Sequence, residues 1–212
     1  MNRFSLVLLF SLFAGDLRAD TILFESATLG QTGLEQFSVP ATNVTPNVFT
    51  GVRFELTQPV RTSQVGGHFV GRDGGDFFGA VVALDDASDF PDSGDLTSSD
   101  VLGHAELTFP TLSDEVFGDL DLTLQPGFYA LVFGSGLFNT NGDGAATRNN
   151  TDSSNPIYIG YQPGADWFNL SDLSDAILFV DHRFVVKGAI VPEPSTIVLV
   201  LVALSLPIIR PR

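Results

Sequence analysis

Residues 124–138 read LQPGFYALVFGSGLF, and the reading of that stretch decides the fold. Pro126-Gly127 opens it as a turn, Phe128 to Phe133 are six consecutive apolar or aromatic residues, and Gly134-Ser135-Gly136 closes it. A run so apolar and so short, held between two breakers, predicts a strand buried on both faces, as in the middle of a sandwich or jelly-roll core. A buried helix competes for the same residues. Tyr129, Val132 and the phenylalanines at 128, 133 and 138 favour the sheet.

The flanking sequence carries the same signature. Val52, Phe54 and Leu56 alternate with Arg53 and Glu55, which predicts a strand with the apolar set inward and the charged pair in water. Further strands are expected at Thr21 to Phe24, Val60 to Val70, Phe77 to Leu84, Val101 to Phe109, Leu120 to Leu124, Ile157 to Tyr161 and Ile177 to Val186. Arg72 to Asp76 (RDGGD) reads as a hairpin-like turn that would pair the strands on either side of it. Gly30 to Asn47 is a polar lead-in. Asp85 to Asp100 and Asn139 to Pro156 are rich in Asp, Asn, Gly and Pro and read as surface loops, and Trp167 falls on a connection. Eight or nine short strands without a convincing long helix predict an all-β, antiparallel two-sheet sandwich, jelly-roll-like, over residues 20–188. The 19 Phe, 21 Gly and 12 Pro among 212 residues fit one core and one domain.

Charge excludes one class of partner. Residues 20–191 hold 23 Asp and Glu against 6 Lys and Arg, or −17, while each end segment is net +1. A nucleic acid would be repelled by that field, and no basic stripe reverses it locally. The chain has no cysteine, so disulfides and thiolate metal sites are excluded.

The two ends speak of destination. Arg3 followed by the apolar run Phe4 to Phe13 predicts a secretory signal over residues 1–19, with a signal helix, Sec-dependent export and cleavage after Ala19 or near Ala14. At the other end, Thr196 to Ile209 is a second apolar segment, interrupted by Pro207 and followed by Arg210 and Arg212. It is shorter than the ~20 residues of an ordinary span, so it reads as a marginal membrane-dwelling tail helix stopped by cytoplasmic arginines. Pro192-Glu193-Pro194 stands just before it.

That order, Pro192-Glu193-Pro194, apolar segment, then arginines, resembles the PEP-CTERM sorting signal of Gram-negative bacteria that make exopolysaccharide. The resemblance covers Val191 to Arg212. It implies an exosortase-type membrane enzyme as processing partner, a transient anchor at residues 196–209 within a tail of residues 189–212, and delivery to the cell surface or extracellular matrix. The middle of the chain is similar to the family called choice-of-anchor domain R, over residues 49–187. The strings FTGVRF (49–54), VGGHF (65–69), FFGAVV (77–82), LQPGFYALVFGSG (124–136) and Arg183-Phe184 carry the likeness. It implies an exported architecture and no particular activity.

Three groups of residues invite chemistry. Asn139, Asn141 and Asp143, with glycines at 142 and 144, match the opening of a calcium loop, but the twelfth position is Asn150 where a bidentate Glu is needed. Asp152 is the late carboxylate that keeps a calcium site in view; an ordinary Asn-Gly turn explains the same residues, and no other cofactor is expected. Tyr158, Tyr161 and Trp167 would stack on sugar rings if exposed, making extracellular polysaccharide a partner, whereas the same cluster buried is a corner of the core. Gly134-Ser135-Gly136 lacks the glycine spacing of a nucleophile elbow, and His68, His104 and His182 show no metal or triad spacing. Acidic pairs such as Asp73 and Asp76, Asp85 and Asp86, or Asp114 and Glu115 occur on any acidic surface, and only a cleft would make glycosidase carboxylates of them. The expectation is an exported, non-enzymatic envelope or matrix protein, with a carbohydrate-binding, or less readily carbohydrate-cleaving, module as the alternative.

Overall fold

The computed structural model describes residues 21–35, 38, 41–46, 48–149, 155–172 and 181–191. The expected signal helix, the tail helix, the sorting motif and the part of the closing strand before residue 181 lie outside the described residues. Thirteen strands are present among the described residues: β1 Thr21–Glu25, β2 Ala41–Val44, β3 Phe49–Leu56, β4 Val60–Gly74, β5 Asp76–Leu84, β6 Val101–Thr108 and β7 Asp114–Asp119. They continue with β8 Thr123–Leu124, β9 Gly127–Gly134, β10 Asp143–Thr147, β11 Ile157–Gln162, β12 Asp166–Asn169 and β13 Phe184–Ile190. A 3-10 turn lies at Leu170–Asp172. No helix among the described residues is long and apolar enough to cross a membrane.

The strands form two sheets, and every strand pairing is antiparallel. The six-stranded sheet runs β12-β11-β3-β9-β5-β6. The seven-stranded sheet is assembled on the 15-residue β4. Gln64 pairs with both Lys187 and Asp119, and Phe69 with both Ala146 and Asp114. One edge of β4 therefore carries β13 and then β10 end to end, and the other carries β8 and β7.

The run that opened the sequence reading lies near the middle of the six-stranded sheet. Leu131 of β9 is flanked by Val52 of β3 and Val81 of β5. Its two faces enter two different cores. Tyr129, Leu131 and Phe133 point between the sheets, into a cluster with Phe69, Phe77, Phe109, Tyr158 and Phe184. Ala130 and Val132 point the other way, into a second cluster with Phe49, Phe78, Val82, Leu96, Ile159 and Trp167. The Phe133 ring centroid lies 4.9 Å from that of Phe69 and 5.0 Å from that of Phe184, so phenylalanines of both sheets interleave.

The structure departs from the sequence expectation at several places: the strand expected at Leu120 to Leu124 is strand only at Thr123–Leu124, β7 was not expected, and four further departures shape the fold. First, the glycine turn after β4 is a corner between sheets: β4 and β5 belong to different sheets and do not pair. Gly74 and Gly75 both take left-handed φ values, +76° and +84°, and a Cβ on Gly75 would come within 2.9 Å of the Gly142 Cα. Second, residues 85–100 are more than surface. Leu96 is 2% exposed and, with the partly buried Phe90, seals the outer face of the six-stranded sheet. Third, the expected loop 139–156 contains β10, wedged between β4 and β2, and the lead-in 30–47 contains β2. Both are short and made largely of small or polar residues, and at Gly144 of β10 the Phe109 ring leaves no room for a side chain, since a Cβ there would lie 2.5 Å from it. Fourth, Trp167 sits inside β12, which forms a hairpin with β11.

Candidate functional site

Arg53 was expected in water and is 8% exposed. The alternation of β3 holds: Val52, Phe54 and Leu56 face the inter-sheet core. Arg53 faces outward as expected, but the segment 85–100 lies over it. The Phe90 ring sits 4.1 Å from its Cζ, and its Nη1 reaches the Ala87 carbonyl at 3.4 Å. Its Nε and Nη2 are buried and meet no hydrogen-bond acceptor. Burial holds its pKa below the usual value, partly offset by the charges of Asp89, Asp86 and Asp172. Arg53 lines a cavity of about 410 Å³ with Phe24, Phe54, Glu55, Leu84, Ala87, Phe128, Asn155, Pro156 and Ile157. Nothing in the alternating string VRFEL separates such an arginine from a solvated one.

The three rings proposed for sugars divide between the two faces of β11. Tyr158 is fully buried in the inter-sheet core and donates its hydroxyl to the His182 carbonyl at 2.9 Å. Trp167 is 9% exposed, its Nε1 donating to the Ser93 carbonyl at 3.2 Å. Tyr161, half-buried, stacks on Phe49 at 5.3 Å and lies 5.2 Å from Trp167. Beside it a smaller groove of about 220 Å³ is lined by Asn43, Phe49, Tyr161, Gln162, Phe168 and Leu170, among others. Of the three predicted rings only Tyr161 borders this groove. Phe168, which the sequence reading did not single out, takes the place of its two companions.

The calcium-loop residues are spread along a crossing from one sheet to the other. Asn139 sits at φ +63° in the turn closed by the Gly136 amide on the Thr140 carbonyl. Asp143 begins β10 and pairs with Arg72 at 3.0 Å, so its carboxylate already faces a guanidinium. Asn141 lies between them in the chain, and Asp152 lies outside the described residues. Among the described residues, no group of three or more His, Cys, Asp or Glu side chains converges as a metal site.

Ser135 is fully buried and donates its hydroxyl to the Gly142 carbonyl at 2.6 Å. The histidines are engaged elsewhere. His104 stacks on Phe138 with centroids 3.9 Å apart, and His68 Nδ1 meets the Asn149 side-chain oxygen at 2.7 Å. His182 is fully buried, with Nδ1 3.2 Å from the Thr147 carbonyl and Nε2 2.8 Å from the Thr42 hydroxyl. That arrangement fits a neutral ring that donates from Nδ1 and accepts at Nε2. Burial drives its pKa down to about 4. On the outer face of the seven-stranded sheet, Arg183 bonds Glu25, Glu115 at 2.7 Å and the Ala27 carbonyl at 2.7 Å, tying the end of β1 to β7.

The sorting residues Pro192, Glu193, Pro194, Arg210 and Arg212 lie outside the described residues. The body reaches almost to them. β13 runs to Ile190, two residues beyond the boundary expected at Gly188, and the Val191 amide still donates to the Pro59 carbonyl at 2.9 Å. No protein-family model matches this sequence, and no curated protein matches it.

Proposed function

We propose that this chain is an exported, non-enzymatic protein of the cell envelope or extracellular matrix of a Gram-negative bacterium, sorted by a PEP-CTERM-type tail. The observation that carries the reading is the order of Pro192-Glu193-Pro194, the apolar segment 196–209 and the arginines at 210 and 212. The last body contact fits it. With Val191 bonded to Pro59, the motif begins one residue beyond the final described hydrogen bond, where a membrane-bound processing enzyme of the exosortase type would meet it without unfolding the sheets. The delivered body is a jelly-roll-like sandwich of the choice-of-anchor kind, brought across the inner membrane by the Sec machinery.

Two variants in the native host test this. Replacing Arg210 and Arg212 with Ser removes the positive-inside stop and should leave export intact while releasing unprocessed precursor. Replacing Pro192, Glu193 and Pro194 with Ala should hold the chain in the inner membrane with its tail uncut. Fractionation and intact mass read both; if the two variants reach the surface at wild-type size, the tail is an ordinary hydrophobic appendage and the reading fails.

A second reading, a carbohydrate-binding module for extracellular polysaccharide, is favoured by the groove at Tyr161 and Phe168. Tyr161, Phe168 and the amide-bearing Asn43 and Gln162 border that groove, and rings and amides are groups that stack on and hydrogen-bond a sugar. A glycan array probed with the exported protein and with Tyr161→Ala decides it, and a wild-type signal that survives the substitution removes this groove from consideration.

A further inference from the structure

We propose that the end of the sandwich where the chain leaves β13 is a lipid-facing surface, held against the periplasmic leaflet of the inner membrane by the shortness of its connection to the tail. The inference rests on the sorting reading above and adds to it which part of the body meets the bilayer.

The residues at that end follow from the registers. Ile190, the last residue of β13, pairs with Val60, the first of β4, and Val60 pairs on its other side with Leu124. Two corners leave this row for the other sheet. Thr57-Gln58-Pro59 joins β3 to β4 and Gln125-Pro126 joins β8 to β9, and the strand ends they reach, Leu56 and Gly127, pair with each other. The Val191 amide is bonded to the Pro59 carbonyl, which fixes the exit of the chain at the first corner.

Connection length decides how far this end can stand from a bilayer. Five residue steps separate Val191 from Thr196, the first residue of the apolar segment, and in any conformation they reach at most about 18 Å. The segment's own shortness acts in the same direction. As a helix its 14 residues rise ~21 Å against a hydrocarbon core of ~30 Å, so the mismatch draws the connection towards the headgroups.

Charge sets the orientation that the connection permits. The exit corners carry no charged side chain; Thr57, Gln58, Gln125 and Pro126 are exposed, and the apolar Ile190 beside them is 46% exposed. The corner at the opposite end of β4 is Arg72-Asp73-Gly74-Gly75-Asp76, and the cover of the six-stranded sheet holds the six aspartates of residues 85–100. A leaflet containing anionic lipid repels those surfaces and repels the uncharged end least. Charges begin one step back from it, at Glu55 and Asp85 on one sheet and at the Arg61–Asp121 ion pair on the other.

The chain has no cysteine, so one introduced thiol is its sole labelling site. The full chain with its tail intact is reconstituted into vesicles of phosphatidylethanolamine and phosphatidylglycerol. Gln58→Cys, Gln125→Cys or Asp73→Cys carries a fluorophore, and a lipid with a spin-labelled headgroup is the quencher. Labels at 58 and 125 should be quenched at least about 3-fold more than the label at 73, roughly 45 Å away at the other end of β4. A flexible Gly-Ser insert of about 12 residues between Val191 and Pro192 adds a coil of roughly 20 Å and should weaken quenching of the two near labels at least about 2-fold. Flotation separates this inference from the reading beneath it. A chain that does not float with the vesicles fails as a membrane-held precursor, and both fall. A chain that floats with label 73 quenched as strongly as 58 and 125, or with the near labels unmoved by the insert, overturns this inference alone.

Discussion

Phe133→Ala tests the architecture at its centre. Phe133 is fully buried on the inward face of β9, with Phe69 and Phe184 of the other sheet at 4.9 and 5.0 Å and Phe77 at 6.3 Å. Removing the ring loses roughly 2 kcal/mol of transfer free energy. A cavity of roughly 100 Å³, at about 24 cal/mol per Å³, adds up to about 2 kcal/mol more where the walls cannot collapse. The walls here are rings held from two sheets, so the expected loss is about 4 kcal/mol, a large share of a domain's ~5 to 15 kcal/mol. Equilibrium urea unfolding at unchanged m-value measures it. Gly79 on β5 supplies an internal check, because a Cβ there would lie 2.7 Å from Phe133 Cε1. Gly79→Ala should destabilise the wild type and do so less in the Phe133→Ala background, with a coupling of at least about 0.5 kcal/mol. A loss below about 1 kcal/mol for Phe133→Ala, or additive behaviour of the pair, would mean that the two sheets do not close on this ring.

Other perturbations read other parts of the body. His182 is neutral in the fold with a pKa of about 4 against an ordinary 6.5, so the unfolded chain takes up its proton first as pH falls. Its contribution is complete above pH 6.5, declines between 6.5 and about 4 by about 3 kcal/mol, and is flat below, and the stability of His182→Gln followed across that range should lack this decline. Arg183→Met leaves Glu25 and Glu115 without their cation and frees the Ala27 carbonyl. A loss of about 3 kcal/mol is expected in denaturant melts, below the top of the range for broken buried pairs because both carboxylates keep some water, and a neutral result would deny that this network fastens the end of β1. Leu96→Ala should loosen the cover of the outer core and shift the emission of Trp167, the only tryptophan, to the red; an unshifted spectrum would mean that the cover holds without Leu96.

Much of this fold was legible because its strands obey simple periods. The run at Phe128–Phe133 predicted burial on both faces and is buried on both. The alternation at Val52, Phe54 and Leu56 placed its apolar face correctly. What escaped is non-local. Whether Gly74-Gly75 closes a hairpin or turns a corner depends on which strands come later to lie beside β4 and β5, and β9, β10 and β13 are contributed 50 to 120 residues downstream. β10 escaped because its residues, DGAAT, carry little strand propensity, its Gly144 being the residue that the Phe109 ring leaves no room to enlarge. At the candidate sites, Tyr161 was reachable from sequence as an aromatic near others. Arg53 was not, since its burial is imposed by a loop that begins 32 residues later.

The composition of that loop follows from its position. Segment 85–100 lies across the outer face of a sheet and has no ladder to pair with along most of its length, yet its amides still need acceptors. Its own aspartates supply them. Asp89 takes the amides of residues 85 and 90, Asp86 that of Ser88, Asp95 that of Thr97, and Asp100 that of Asp92. Hydrogen bonds from Ser88 and Thr97 hold the carboxyls of Asp86 and Asp95 below the usual range, which keeps both ionised and accepting at neutral pH. Six aspartates and no basic residue fall between 85 and 100. A stretch that reads from sequence as solvated punctuation is thus a cover that carries its own acceptors, with Leu96 and Phe90 as its apolar underside. The negative field those acceptors create opposes the desolvation of Arg53 beneath them. Because Asp86 and Asp89 are already committed to backbone amides, their field stabilises the cation without bonding it.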